Sequence, residues 1–381
     1  MFDERPIINR VLPAEWEPQS AIQLTWPHED TDWNYILEDV TQCYVRIATE
    51  ISKRELLLIV CKDKNVVRQR LANANPKNII YVEMDTNDTW ARDHGAITVR
   101  NFNQGMEMTN ACNFDNLFGN ELQVVGKDYY SVLDFCFNGW GLKFAANKDN
   151  RITRNLYNHE LFNADYENCM NFVLEGGSIE SDGCGTILTT SECLLSDNRN
   201  EEWSREDIES YLYERLGAVR FLWLNHGYLA GDDTDSHVDT LARLCDRNTI
   251  AYVKCDDVND EHYAELKAME DELKAFVTDN FEPYRLLALP MADYIEMDGE
   301  RLPATYANFL IMNGAVLMPT YGSPKDEVAK KVLQKAFPDR EIVGCDCVPL
   351  IRQHGSLHCI TMQFPQGLFR EDTLKKLREQ N

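Results

Sequence analysis

The chain has 381 residues, and its 63 acidic and 38 basic side chains give a formal net charge of −25. Hydrophobic residues make up 44% and charged residues 27%, which excludes collagen-like, low-complexity and disordered chains. An acidic surface of this kind repels nucleic-acid phosphates and anionic membranes and attracts cations. We therefore expect a cationic or neutral small-molecule partner, with no nucleic-acid and no membrane partner.

The targeting and cysteine patterns favour the cytoplasm. No apolar run approaches the ~20 residues that cross a bilayer, and the N-terminal MFDERPIINRVLPAEW lacks the basic and apolar regions of a secretory signal. The 12 cysteines are scattered singly, so we expect reduced thiols rather than disulfides. Cys345 and Cys347 lack a second pair at zinc-ribbon spacing and are expected to be structural.

Short apolar runs typical of buried strands alternate along the chain with amphipathic segments typical of helices. In chain order, the predicted elements are helix Trp33–Ser52, strand Leu56–Val60, helix Asn65–Asn73, strand Ile79–Val82, strand Thr186–Thr189, helix Ser204–Leu216, strand Phe221–Leu224, strand Thr249–Val253, helix Asp260–Asp279, strand Ala315–Met318 and helix Asp326–Phe337. This alternation predicts an α/β fold. No linker rich in Gly, Pro or Ser divides the chain, so we expect a single catalytic domain over residues 1–381.

Four short segments carry residue types suited to chemistry: Thr89–Gly95, Glu175–Gly177, Asp232–Asp239 and His354–Thr361. The glycine-rich stretch 175–185 has neither the Lys-Ser/Thr of a P-loop nor a dinucleotide fingerprint, and its carboxylates would repel a phosphate. In an extended segment His237 and Asp239 would point to the same side, so one site could use both.

Each candidate residue also has a simple structural interpretation. These interpretations are a buried small side chain for Cys359, a surface hydrogen bond for His237 and Asp239, an ion pair with Arg92 for Asp93, and a turn for Glu175.

The joint pattern resembles the agmatine deiminase family of the guanidine-modifying superfamily, which also includes arginine deiminase and the bacterial peptidylarginine deiminases. The motifs are PAEWEP at 13–18, TWP at 25–27, WARD at 90–93, FNGWGLK at 137–143, EGGSI at 175–179, TTSECLL at 189–195, NRN at 198–200, HVD at 237–239, YANF at 306–309 and HCIT at 358–361. They occur in the family's order and cover nearly the whole chain.

The resemblance implies a fold, an assembly and an absence of cofactors. The expected fold is a pseudo-fivefold α/β propeller (pentein) of ββαβ-like units around a central channel, with a site built from loops of several units. A homodimer is the family-based expectation. Neither a metal nor an organic cofactor is expected.

The resemblance also implies catalytic roles. Cys359 would attack the guanidinium carbon as a thiolate, while Asp93 and Asp239 would hold the planar guanidinium. His237 would protonate the leaving ammonia and then activate water. Glu175 would orient His237. Because a free thiol has a pKa of about 8.5, the bound cation or a protonated His237 must favour the thiolate.

The expected reaction is hydrolytic deimination of agmatine to N-carbamoylputrescine and ammonia through a covalent S-alkylthiouronium intermediate. Trp90 is a further predicted substrate-binding residue. Asp233 stands where the family usually has a Glu facing the agmatine amine, and Ser236 stands where it has Gly. The segment 352–357 replaces a glycine-rich family sequence.

Four alternatives remain open at this point. The substrate could be another guanidine, such as free or peptidyl arginine, or the enzyme could be an amidinotransferase that passes the amidino group to an amine. A metal site could combine His237 and Asp239 with His358 or Cys359. An acidic binding protein for cationic small molecules would need no catalysis.

Overall fold

The computed structural model describes residues 9–102 and 129–380. The first eight residues, which contribute to the predicted absence of a secretory signal, lie outside this range. The strands are β1 Arg10–Val11, β2 Gln19–Thr25, β3 Leu56–Cys61, β4 Ile79–Glu83, β5 Ile97–Asn101, β6 Tyr129–Cys136, β7 Ala164–Val173, β8 Ile179–Ser181, β9 Thr186–Thr190, β10 Arg220–Leu224, β11 Ala242–Asp246, β12 Thr249–Lys254, β13 Arg285–Pro290, β14 Glu296–Met297, β15 Glu300–Arg301, β16 Leu310–Met312, β17 Ala315–Thr320, β18 Glu341–Asp346 and β19 Thr361–Pro365.

The α-helical segments are Leu37–Ser52, Lys64–Arg70, Ala91–His94, Gly139–Leu142, Ile152–Asn158, Ser191–Leu194, Asp197–Asn200, Arg205–Leu216, Tyr263–Ala275, Lys325–Ala336, Val348–Ile351 and Glu371–Gln380. Short 3₁₀ turns span Asp32–Ile36, Pro76–Asn78, Asp149–Arg151, Gly176–Ser178 and Val238–Thr240. The α/β fold predicted from the sequence is confirmed. Among the described residues, no helix is both long and apolar enough to cross a membrane.

Five sheets among the described residues share one pattern, an antiparallel strand pair followed by a parallel pair. The strand sets are β5-β6-β7, β8-β9-β10, β11-β12-β13, β16-β17-β18 and β19-β2-β3. A helix lies in the connection between the two parallel strands of each set, as is usual for the crossover that parallel strands need. In the last set β19, near the end of the chain, pairs with β2 near its beginning.

Strand β3 shows why the apolar runs are continuous. Leu57, Ile59 and Cys61 pack in a core with the helix 37–52, and the alternate residues Leu58 and Val60 pack in a second core on the other face. Because side chains alternate along a strand, burial on both faces needs an unbroken apolar run.

The predicted elements lie close to the observed ones, with one clear error. The helix predicted over Asp260–Asp279 spans only Tyr263–Ala275. Phe276 is extended, with φ −70° and ψ 143°, and Val277 forms an antiparallel bridge with Pro283. The sequence pattern typical of a helix continues past Ala275, which is why the predicted helix was too long. The backbone after Ala275 instead leaves the helix and leads to β13.

Helix Arg205–Leu216 illustrates strong local signals at both ends. Ser204 and Asp207 form a reciprocal capping box at its start, and Gly217 ends it in the left-handed conformation at φ +70°. A β-carbon on Gly217 would stand 2.0 Å from the Arg10 carbonyl oxygen, whereas Gly314 has a similar φ of +73° with no atom within 4 Å.

We therefore expect Gly217→Ala to lower the free energy of unfolding by clearly more than Gly314→Ala. The second substitution adds only the cost of a left-handed alanine, about 1 kcal/mol, while the first also forces a backbone clash. Urea unfolding of the two variants against the parent measures the difference. Equal losses would show that the contact with Arg10 does not constrain this position.

Candidate active site

The predicted site residues meet around a glycine. A β-carbon on Gly177 would stand 2.6 Å from His237 Nδ1, 3.0 Å from Asp93 Oδ1 and 3.2 Å from Asp239 Oδ2. No side chain fits in this space, which explains the second glycine of the E-G-G motif. Segments separated by more than 140 positions in the sequence therefore share one buried location.

The His237 segment forms a tight turn rather than an extended segment. His237 immediately precedes the 3₁₀ turn Val238–Thr240. His237 and Asp239 nevertheless both reach Gly177, because the turn brings them to the same side. In the preceding loop, Asp235 and Ser236 have φ values of +61° and +60°, a conformation that L-residues adopt only when neighbours hold them there.

Asp93 is buried and held by two donors. Trp140 Nε1 donates to its Oδ2 at 2.9 Å, and the Gly177 N–H donates to its Oδ1 at 3.0 Å. Burial raises the pKa of Asp93 to about 6 despite the nearby His237. Arg92 pairs with Glu15 at 3.9 Å rather than with Asp93.

Cys359 is 4% exposed and lies beside an amide and a carboxylate. Its Sγ is 3.2 Å from Asn308 Nδ2 and 3.8 Å from Asp239 Oδ2. Burial, together with the negative charges of Asp239 and Asp93, raises the pKa of the Cys359 thiol well above its usual value. The thiol is therefore protonated at neutral pH in the unliganded protein, and a cation placed between these groups would favour the thiolate.

His237 lies between two carboxylates. Its Nε2 is 3.2 Å from Glu175 Oε2, and its Nδ1 is 3.7 Å from Asp93 Oδ1. Burial opposes its charge, but Asp93 and the hydrogen bond to Glu175 raise the pKa of His237 well above its usual value. A protonated imidazole is thus available in the site as a proton donor.

Arg199 is a positioning residue to which the sequence analysis assigned no role. Its fully buried guanidinium donates to Glu175 Oε2 at 2.7 Å, to Asp235 Oδ2 at 2.6 Å and to the Thr234 carbonyl at 2.8 Å. It thereby joins Glu175 to the loop that carries His237. In the sequence, the N-R-N motif at 198–200 was the one indication that Arg199 matters. Its partners Glu175 and Asp235 can be identified only from the fold.

Asn308 was also quoted only as part of a motif, and its amide contacts the thiol, as described above. Asp239 is held from the other side, because His358 Nδ1 donates to its Oδ2 at 2.7 Å. Burial opposes the charged form of Asp239, yet His358 and the nearby cations lower its pKa overall.

The residues of the hypothetical metal site are engaged in other contacts. His358 Nε2 is 2.7 Å from Glu15 Oε2, and Arg243 Nη2 lies 3.1 Å from the same ring nitrogen. Arg243 also pairs with Glu180. The Arg243 guanidinium thus already lies between the carboxylates of Glu15 and Glu180. Because this cation would repel a metal ion, the donor arrangement around His358 does not favour one.

A cavity of about 420 Å³ leads to Cys359. Its described lining residues are Asp32, Asp88, Trp90, Asp93, Trp140, Phe144, Asp233, Thr234, Gln353, His354, Gly355 and Cys359. The predicted substrate-binding residues Trp90 and Asp233 are both in this wall, the first buried and the second half-exposed. The lining includes four aspartates and one histidine, with no Lys or Arg among the described residues.

Three polar atoms of the site are buried without a hydrogen-bond partner among the described residues. They are Glu175 Oε1, His237 Nδ1 and Asp239 Oδ1. Buried polar atoms are normally paired, so the unused carboxylate oxygens of Glu175 and Asp239 are suited to a ligand with several N–H donors.

A sequence model of the Porphyromonas-type peptidyl-arginine deiminase family matches residues 11–365. The chain belongs to this family. Among related sequences, the agmatine deiminase of Stutzerimonas stutzeri is 30% identical, and the match covers 94% of this chain and 96% of that protein. The resemblance to agmatine deiminases inferred from the motifs is confirmed.

Solved structures of two similar proteins have the same fold as this chain. A candidate arginine deiminase from Porphyromonas gingivalis is 50% identical with a TM-score of 0.85, covering 95% of this chain and 100% of that one. A substrate-bound agmatine deiminase from C. jejuni is 36% identical with a TM-score of 0.82, covering 94% and 97%.

Arg199→Met is expected to lower the free energy of unfolding by about 3–5 kcal/mol, because it leaves the buried Glu175 and the Asp235 carboxylate without their cation. Arg46→Met is the matched control, since Arg46 and its partner Asp346 are both about half exposed, and such a pair contributes about 0–1 kcal/mol. Chemical denaturation compares them. Similar small losses for both variants would contradict a structural function for the buried guanidinium.

Proposed function

We propose that this chain is a guanidine iminohydrolase that converts agmatine to N-carbamoylputrescine and ammonia. The observation that carries the proposal is a buried thiol, Cys359, facing two guanidinium-compatible carboxylates, Asp93 and Asp239, at the end of an acidic cavity. His237 and Glu175 complete the proposed catalytic set. The relatives that are agmatine deiminases support the same reaction.

Substrate binding supplies the missing positive charge. Asp93 and Asp239 would pair with the guanidinium N–H groups, and Glu175 Oε1 would accept another. The bound cation offsets the negative charges that raise the pKa of Cys359, so the thiol releases its proton to solvent when the substrate is in place. Trp90 would form the apolar wall beside the alkyl chain.

In the first half of the reaction the Cys359 thiolate adds to the central guanidinium carbon and forms a C–S bond. The protonated His237 transfers its proton to the departing nitrogen, the C–N bond breaks, and ammonia leaves. The product of this step is an S-alkylthiouronium attached to Cys359, and His237 is neutral.

In the second half, neutral His237 removes a proton from water as the oxygen adds to the thiouronium carbon. The C–S bond then breaks, and the proton left on the added oxygen passes to the departing sulfur. This releases the neutral ureido product and restores the Cys359 thiol and the protonated His237. Glu175, fixed by Arg199, keeps the imidazole oriented through its hydrogen bond to Nε2 in both halves.

The acidic cavity favours a substrate with an amine at its far end. Agmatine carries an ammonium there, whereas free arginine carries an α-carboxylate that would face Asp233, Asp32 and Asp88. Asp233 is the proposed acceptor for the ammonium. Because Asp is one methylene shorter than the usual Glu, an ammonium paired with Asp233 would lie nearer to the loop backbone than one paired with Glu.

The remaining expectations complete the proposal. The five sheets would be arranged around a central channel as a pseudo-fivefold propeller, an arrangement supported by their shared strand pattern and by the pairing of β19 with β2. The chain would act as one catalytic domain and a cytoplasmic homodimer without a cofactor.

The decisive experiment measures ammonia release with agmatine, arginine and a blocked arginine peptide side by side. We expect agmatine to be the preferred substrate, and Cys359→Ala to lose at least about 1,000-fold in kcat because the covalent step is removed. Cys345→Ala is the matched control, since that thiol is also buried but does not line the cavity that leads to Cys359. Preference for arginine or the peptide would refute the substrate assignment. Transfer of the amidino group to an added amine would indicate an amidinotransferase, and binding without turnover would indicate a binding protein.

The pH dependence of kcat/KM tests the charge of Asp93. Its pKa of about 6 means that it is protonated below that pH and can no longer attract the guanidinium. We therefore expect kcat/KM for agmatine to decrease as the pH falls through about 6, and Asp93→Asn to be strongly impaired without this decrease. A parent profile that stays flat down to pH 4.5 would contradict it.

A further inference from the structure

The segment at residues 352–355 crosses the mouth of the cavity and is tied to both sides of it. Gln353 Nε2 donates to the Asp32 carbonyl at 2.9 Å, while His354 Nδ1 is 2.7 Å from the Gly231 carbonyl. Gly355 lies flat against the Trp90 ring, because a β-carbon there would stand 2.1 Å from Trp90 Cζ3. The position of this segment is therefore well determined.

His354 has a left-handed backbone conformation, which is uncommon for residues other than glycine. Its φ is +66°, a region that favours glycine, and histidine adopts it at a cost of about 1 kcal/mol. Strained backbone tends to occur where a side chain has a specific task. Here the imidazole lines the cavity that leads to Cys359.

The contacts of His354 determine which ring nitrogen is available. A carbonyl oxygen can only accept, so Nδ1 must carry the hydrogen that it donates to Gly231. In the neutral ring Nε2 is then a hydrogen-bond acceptor. This atom lies 3.9 Å from Asp233 Oδ2. Lys143 contacts the backbone carbonyl of Asp233 rather than its carboxylate.

We propose that His354 is a specificity-determining residue, and that its Nε2 and the Asp233 carboxylate together bind the terminal ammonium of the substrate. One ammonium nitrogen can lie ~2.9 Å from each of two acceptors, and acceptors 3.9 Å apart allow this arrangement. The inference rests on the proposed function and adds the second acceptor to it. Asp233 is thereby supported by a neighbour that compensates for its short side chain.

The test compares agmatine with pentylguanidine, in which a methyl group replaces the ammonium at the same chain length. The variant is His354→Asn, because asparagine tolerates the left-handed backbone and is too short to place an acceptor where Nε2 lies. Gln353→Ala is the matched control, since it loosens the same segment without removing that acceptor. Ammonia release provides kcat and KM for both compounds.

We expect His354→Asn to lower kcat/KM for agmatine by about 3- to 10-fold, mainly through KM, as for a lost hydrogen bond to a charged group. The value for pentylguanidine should change less than about 2-fold, and Gln353→Ala should affect both compounds equally. Equal losses for both compounds in His354→Asn, or no loss for agmatine, would overturn the inference.

The parent protein separates this inference from the proposed function. If it hydrolyses pentylguanidine as efficiently as agmatine, the ammonium is not recognised, and the inference fails while the deimination reaction stands. If it hydrolyses neither compound, the proposed function fails and the inference with it.

Discussion

The structure depends on the compensation of negative charge in a buried site. Glu175, Asp93 and Asp239 are all at most 4% exposed and surround the same small volume. Isolated carboxylates are costly to bury, so their ionised forms require cations. Arg199 and His237 supply two of these charges from within the chain, and the arrangement leaves room for one more.

The same carboxylates determine the protonation state of the proposed nucleophile. The same carboxylates that attract a guanidinium also raise the pKa of the Cys359 thiol in the absence of ligand. A neutral thiol is a poor nucleophile and reacts slowly with oxidants and other electrophiles. Under the proposed function, binding of the cationic substrate lowers the pKa of the Cys359 thiol. The reactive thiolate therefore forms only when the substrate is bound.

Specific backbone features make this density of charged groups possible. Gly177 allows His237, Asp93 and Asp239 to approach within van der Waals distance of one main-chain position. Asp235 and Ser236 turn the preceding loop through left-handed conformations. The loop keeps this shape because Asp232 accepts from the Ser236 N–H at 2.7 Å and Arg199 fixes Asp235. The left-handed backbone of this loop is thus held by hydrogen bonds that also position the proposed catalytic side chains His237 and Glu175.

The sequence by itself determined the α/β class, most element positions, the family and the candidate residues, because these depend on periodicity and on motifs that are continuous in the chain. It did not reveal the contacts of Arg199, Asn308 and His354, or the 3₁₀ turn after His237. Those features depend on contacts between segments far apart in sequence, such as the bond from Arg199 to Glu175. Only the tertiary structure decided these contacts. A side chain becomes buried, and a buried carboxylate gains its cation, only when segments that are distant in the sequence pack together.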